Sequence, residues 1–268
     1  IALQIMSNHV QMSYYFLFVI LFIVGAYFED AWRNKTLPKF FKASAVVFVA
    51  ALIGVAANLS NLYHTYTYSK ETMRGKSELV ETGDAAKQTS SGLDRDYITN
   101  WSYGIGETWT LLVPNFKGGS SSAPLSQSET AMEKANPVYS SLYNSFPQYF
   151  GDQPWTAGPV YVGSFVLFLF VLGCFIVKGP LKWALLGATF FSIVLAWGKN
   201  FMPLTDFFID YIPMYNKFRA VSSILVIAEF TIPLLAIFAL KRVLDEPGIW
   251  KKYKKAFGIS LALTAGVA

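Results

Sequence analysis

Cysteine, histidine and charge are all scarce in this chain. A single cysteine, Cys174, sits inside a hydrophobic run. It cannot form an internal disulfide, reads as a small apolar packing residue, and carries no information on redox compartment. With 2 histidines among 268 residues and no Cys/His pair at ligand spacing, the sequence lacks a metal-binding pattern. It also lacks a Walker or Rossmann signature and any 20 to 50 residue repeat. Charged residues are only 15% of the chain, against about 25% in soluble domains, which excludes the ordinary soluble globular class. What is present is apolar: 53% hydrophobic residues, 17% aromatic, and a mean hydropathy of +0.38. These numbers point to an integral membrane protein.

The apolar residues fall in runs of the length that crosses a bilayer, about 20 residues per helix. Spans are expected at about 10–28, 43–62, 158–177, 181–197, 219–240 and, truncated, from 256 to the end at 268, with a partial apolar segment at 1–6. The fold class is therefore an all-α polytopic membrane protein, with about five full spans and partial ones at both ends. The chain starts at Ile1 and stops inside an apolar run, so it is expected to be a piece of a longer protein.

Between the second and third spans lies a long polar segment, 63–156, in which carboxylates outnumber Lys and Arg and Ser/Gly clusters such as Gly118–Ser122 recur. Such a stretch cannot face lipid, and it is expected to form a large external loop or small domain. The loops at 29–42, 178–182 and 241–255 hold four, two and six Lys/Arg. Strict alternation puts all three on one side, which the positive-inside rule makes cytoplasmic. Trp155, Tyr161, Trp183, Trp197 and Trp250 fall near span ends, as an interfacial aromatic belt would place them. The formal net charge of +5 follows from this topology and gives no reason to infer nucleic-acid binding.

Several residues are candidates for chemistry. Glu229 falls near the middle of the fifth expected span, where an ionised carboxylate is costly unless paired, protonated or wet. The spacing of Arg219, Ser222, Val226, Glu229 and Pro233 predicts one polar helix face, with Pro233 freeing the carbonyl of Glu229. Helix packing by a protonated Glu and substrate or lipid handling both account for it. Arg219 ends a loop at the boundary of the span, where a guanidinium can hold a phosphate bidentately; an interfacial Arg pairing with Asp206, Asp210 or lipid headgroups is the plainer reading. Lys217 and Lys199 lie in the same loop, and Arg74 stands in a charged stretch, 66–79, that is either solvated or a lid over an anionic substrate. His9 and Gln11, with Asn8, form a polar notch before the first span, suited to proton transfer or simply to a hydrogen-bonded turn. Trp101, Tyr103 and Trp109 can stack on a sugar or fill a small core. No cofactor is indicated; a divalent metal is compatible with the chain but unsupported by any motif.

The notch Ser7-Asn8-His9-Val10-Gln11 with Tyr14-Tyr15 resembles the Gly-His-Pro-Gln type element of YfhO-like bacterial membrane proteins. Residues 69–79, the Leu111-Leu112-Val113-Pro114-Asn115-Phe116 stretch with Gly118-Gly119, and Pro213–Arg219 resemble three further elements of that family, in the same order relative to the spans. Residues 70–79 and 213–233 are most similar to Bacteroidetes members, while Asn8 and Val10 stand where Gly and Pro are commoner. The family is similar to the GT-C class of multi-span glycosyltransferases. The resemblance implies transfer of a sugar from a polyprenyl-phosphate donor to a cell-envelope acceptor on the external face of the bacterial inner membrane. It places the catalytic acidic residue before Ile1, leaving Arg219, Lys217 and Arg74 as donor-phosphate contacts. A transporter or flippase coupled through Glu229, or a non-catalytic envelope assembly protein, is the alternative.

Overall fold

The computed structural model of the chain describes residues 1–72, 74–75 and 92–266. The described residues form thirteen α-helices: α1 Ala2–Met6, α2 Val10–Arg33, α3 Leu37–Ala56, α4 Leu59–Lys70, α5 Arg95–Thr99, α6 Glu129–Lys134, α7 Ser140–Tyr143, α8 Ser164–Ile176, α9 Pro180–Ala196, α10 Met202–Tyr211, α11 Val226–Asp245, α12 Ile249–Lys252 and α13 Lys254–Ala265. Among these residues there is no strand, only an isolated bridge between Pro124 and Pro147.

Three helices are long and apolar enough to cross a membrane: α2, α3 and the 221–245 helix, which is α11 preceded by a 3-10 turn at Val221–Leu225. Pro180–Ala196 and Gly198–Tyr211 together make a fourth if their 107° bend is taken as one broken span. Where about five full spans were expected, three helices among the described residues, or four with the bent pair, have the length and composition to cross. The third expected span shrinks to the 13 residues of α8, about 20 Å at the helical rise. Pro159 lacks the N–H a helix needs, and Gly163 at φ 95 caps the start.

Other boundaries move for local reasons. The stretch 29–42 is a turn of only three residues, 34–36, with Lys35 at φ 56. Glu29 and Arg33 pair one turn apart and prolong α2, and Pro38 suits the opening turn of α3. The region 198–218, expected as a loop, contains α10. Pro203 sits in its first turn, and Thr205, Phe208 and Ile209 form a buried face at helical spacing. The fifth span begins at 221 rather than at Arg219, because Ala220 takes a left-handed conformation, φ 57, that ends any helix there.

The helices pack as α11 on α8 and α9, α2 on α9, and α13 on α8. Small residues let them approach. A Cβ added at Gly173 would lie 3.1 Å from Leu235 Cγ, and the Thr189 and Thr231 hydroxyls meet at 2.6 Å between α9 and α11. Half of the apolar window of the 221–245 helix is buried, but none of that of α3. Leu93, Ile98 and Tyr103 from the polar segment join the same core as Tyr15, Leu195, Ile209 and Ile224. The end of α2 at 29–33 and the start of α9 meet around one hollow, and Arg242 donates to the carbonyl of Ile176. The three basic loops therefore share one end of the bundle, and Gln11, Trp101 and Arg219 meet elsewhere in the molecule, beyond the opposite ends of α2 and α11.

The bend between α9 and α10 turns on Gly198, at φ 48, where a Cβ would collide with Ser102 Oγ and Val221. Gly198→Ala is expected to lower stability by about 1–3 kcal/mol through backbone strain alone, and more through the collision; thermal unfolding followed in detergent measures it.

Candidate functional site

The site grows from the end of the bundle at which the polar segment crosses the helix breaks. Trp101 accepts at its carbonyl from the N–H of Ser222 (3.1 Å) and donates its indole N–H to the carbonyl of Trp155 (3.0 Å). Ser102, fully buried, donates to the Thr99 carbonyl (2.5 Å) and accepts from the N–H of Lys199 (2.8 Å). The N–H of Tyr103 donates to the carbonyl of Ala196 (2.8 Å), and its own carbonyl accepts from the Asn200 amide (3.0 Å). These bonds fix the Trp101 ring relative to the 3-10 start of the long helix.

Over that ring lies Arg219. Its guanidinium stands 5.9 Å from the centroid of Trp101 and 5.7 Å from that of Tyr97, and Nη1 donates to the Tyr97 hydroxyl at 2.8 Å. The Gln11 amide donates to the Arg219 carbonyl at 2.7 Å and to Tyr15 Oη at 2.9 Å. Two sequence candidates more than 200 positions apart are thereby joined. Arg219 is exposed and has no ion pair among the described residues. The ion pair expected with Asp206 or Asp210 does not form. Those two carboxylates, one turn apart on α10, both go to Arg95, whose two Nη atoms fork between them.

Arg74 and Lys217 also come together. Arg74 Nε donates to the Lys217 carbonyl (2.9 Å) and Lys217 Nζ to the Arg74 carbonyl (2.7 Å). Burial lowers the Lys217 ammonium from its ordinary range. Each keeps further N–H donors beyond these bonds, so a cationic pair stands two residues from Arg219 in the chain. Met73 and residues 76–79 of the proposed lid lie outside the described residues.

His9 is the N-cap of α2, its Nδ1 accepting from the N–H of Met12 at 3.4 Å. Glu229 stands eight residues in from Val221, the start of the 221–245 helix. It lies in the first turn of α11, exposed, with no hydrogen bond or ion pair among the described residues. The expected continuous face from Arg219 to Pro233 is broken by Ala220 and the 3-10 turn, while α11 runs on through Pro233.

Sequence reasoning missed Glu107. Its side chain, 2% exposed, accepts from the N–H of Gly104 (2.6 Å), the N–H of Asp152 (3.2 Å) and the Tyr149 hydroxyl. Three donors substitute for water around the charge, without a cation. The Gly104-Ile105-Gly106-Glu107 turn was the available signal, since a carboxylate three residues after a glycine can reach back to its N–H. Burial, then the bond to Glu107, raises the Tyr149 phenol. Of the aromatics considered for sugar stacking, Tyr103 is core, Trp109 is about half exposed, and Trp101 is the platform beneath Arg219.

Burial pushes the Tyr103 phenol up to about 12 from 10.0; the Thr110 bond opposes this, and the Glu107 and Glu229 carboxylates add to it. The neutral phenol is favoured in the fold, so its contribution is complete below pH 10.0 and is lost as pH rises through about 12. The thermal midpoint in detergent is expected to fall across that window. Tyr103→Phe should show a smaller fall there, together with a lower midpoint at neutral pH from the lost Thr110 partner.

In comparisons with known proteins, no protein-family model, no curated protein and no solved structure matches the chain.

Proposed function

We propose that the chain is part of a membrane-embedded glycosyltransferase of GT-C type, similar to YfhO-like proteins. In this reading it transfers a sugar from a polyprenyl-phosphate donor to a cell-envelope acceptor on the external face of the bacterial inner membrane. The observation that carries the reading is Arg219. It is an exposed guanidinium with no carboxylate partner among the described residues, braced on Tyr97 and Trp101 and tethered through its carbonyl to Gln11. A planar fork held on aromatic faces suits a phosphate oxygen pair, and its rigidity reduces the ordering cost of binding. Lys217, two residues before it in the chain, and Arg74, bonded to Lys217, add positive charge. Charge stabilisation of the departing lipid phosphate is the chemistry these residues contribute. The grouping of the three basic loops at one end of the bundle supports a cytoplasmic placement for them and an external one for 63–156.

A second reading, a transporter or flippase, draws on the 107° break between α9 and α10 and on exposed Glu229 above Pro233, since broken helices and intramembrane carboxylates mark transport paths.

Transfer from a labelled polyprenyl-phosphate sugar, measured in membranes containing the full-length parent, separates the two. Arg219→Ala is expected to reduce transfer roughly 100-fold, Arg219→Lys to recover part of it, and Glu229→Gln to leave it near wild type. Unchanged transfer with Arg219→Ala would remove the phosphate contact. Absence of transfer by any form, with substrate movement abolished by Glu229→Gln, would favour transport.

A further inference from the structure

At the end of the bundle away from Arg219, a pocket of about 590 Å³ opens between the end of α8 and the α12–α13 junction. Lys251, Lys252, Lys254 and Lys255 line it together with Phe175 and Ile259. All four lysines are exposed, and none forms an ion pair among the described residues. The nearby carboxylate, Glu246, feels Lys252 and Lys178 but is held by Arg242, whose Nε donates to it at 2.7 Å. Tyr253, also in the lining, carries two cations near its ring: Arg242, 5.7 Å from the centroid, and Lys252, 5.5 Å from it. Arg242 also donates to the carbonyl of Ile176 at the end of α8. Four unneutralised ammonium groups on a fixed concave surface call for an anion. The hydrophobic components, Phe175 and Ile259, both a little under half exposed on apolar helices, call for a molecule with an acyl part.

We propose that this pocket seats the phosphate headgroup of an anionic phospholipid, with the four lysines around the phosphate and Phe175 and Ile259 against the first carbons of the acyl chains. Trp250, 54% exposed one residue before the lysines, and Trp183, capped by Lys182 at 4.4 Å, sit at the same end as interfacial anchors. The proposal rests on the membrane reading but not on the transferase reading, since it uses none of the residues around Arg219.

The test is native mass spectrometry of the full chain in detergent, titrated with a phosphatidylglycerol or a phosphatidylcholine of the same acyl chains. The phosphatidylglycerol adduct should persist where phosphatidylcholine is lost. The variant K251Q/K252Q/K254Q/K255Q should weaken that adduct about tenfold or more. The variant K35Q/K39Q/K42Q, which neutralises another basic turn at the same end, should not. Should the fourfold variant fail to fold, K251Q/K252Q and K254Q/K255Q are each read in its place. Equal retention of the two lipids, equal loss in the two sets of variants, or competition by inorganic phosphate at millimolar concentration would each overturn the proposal. The last would mean that the lysines hold a free anion and not a lipid.

Discussion

Three consecutive residues, Trp101, Ser102 and Tyr103, hold together the end of the bundle on which the site depends. Together they form hydrogen bonds to two breaks in the helices: Trp101 to the 3-10 turn before α11, and Ser102 and Tyr103 to the turn between α9 and α10, at Lys199, the last carbonyl of α9 and Asn200. Helix breaks leave backbone donors and acceptors without intrahelical partners, and in a crowded apolar setting each must be satisfied. The polar segment supplies those partners. In return its own apolar residues, Leu93, Ile98 and Tyr103, are buried among helix residues.

The distribution of charge follows from this stitching. Asp206 and Asp210 lie one turn apart on α10 because the helix continues past the 198 bend, and α5 presents Arg95 to both. At partial exposure such pairs contribute little to stability. Both carboxylates are thereby paired with Arg95, while Arg219 rests on aromatic rings. At the other end Arg242 pairs with Glu246, and the lysines of 251–255 form no ion pair among the described residues.

Much of the helical content was legible in the order of the residues. The expected spans at 10–28 and 181–197 match α2 and α9 to within a few positions, because a run of apolar side chains bounded by charge or proline is a local signal. The region 198–218 was less legible. Its helix is short, its buried face holds only Thr205, Phe208 and Ile209, and its lysines and prolines resemble those of a loop. The start of the fifth span was not legible either, because the sequence does not reveal that Ala220 turns left-handed and that a 3-10 turn opens the helix. Glu107 was missed because a carboxylate satisfied by two backbone N–H groups and a phenol has no partner that can be seen in the sequence.

By itself the sequence determined that the chain is helical and apolar, where most long helices run, and which loops are basic, since each of these depends on composition and periodicity within a single segment. Only the tertiary structure decided which side chains meet. Gln11 and Arg219 stand 208 positions apart, and Arg74 and Lys217 stand 143 apart. No periodic pattern encodes such pairings, because they arise when separate helices pack and when buried backbone groups at the breaks between them find partners.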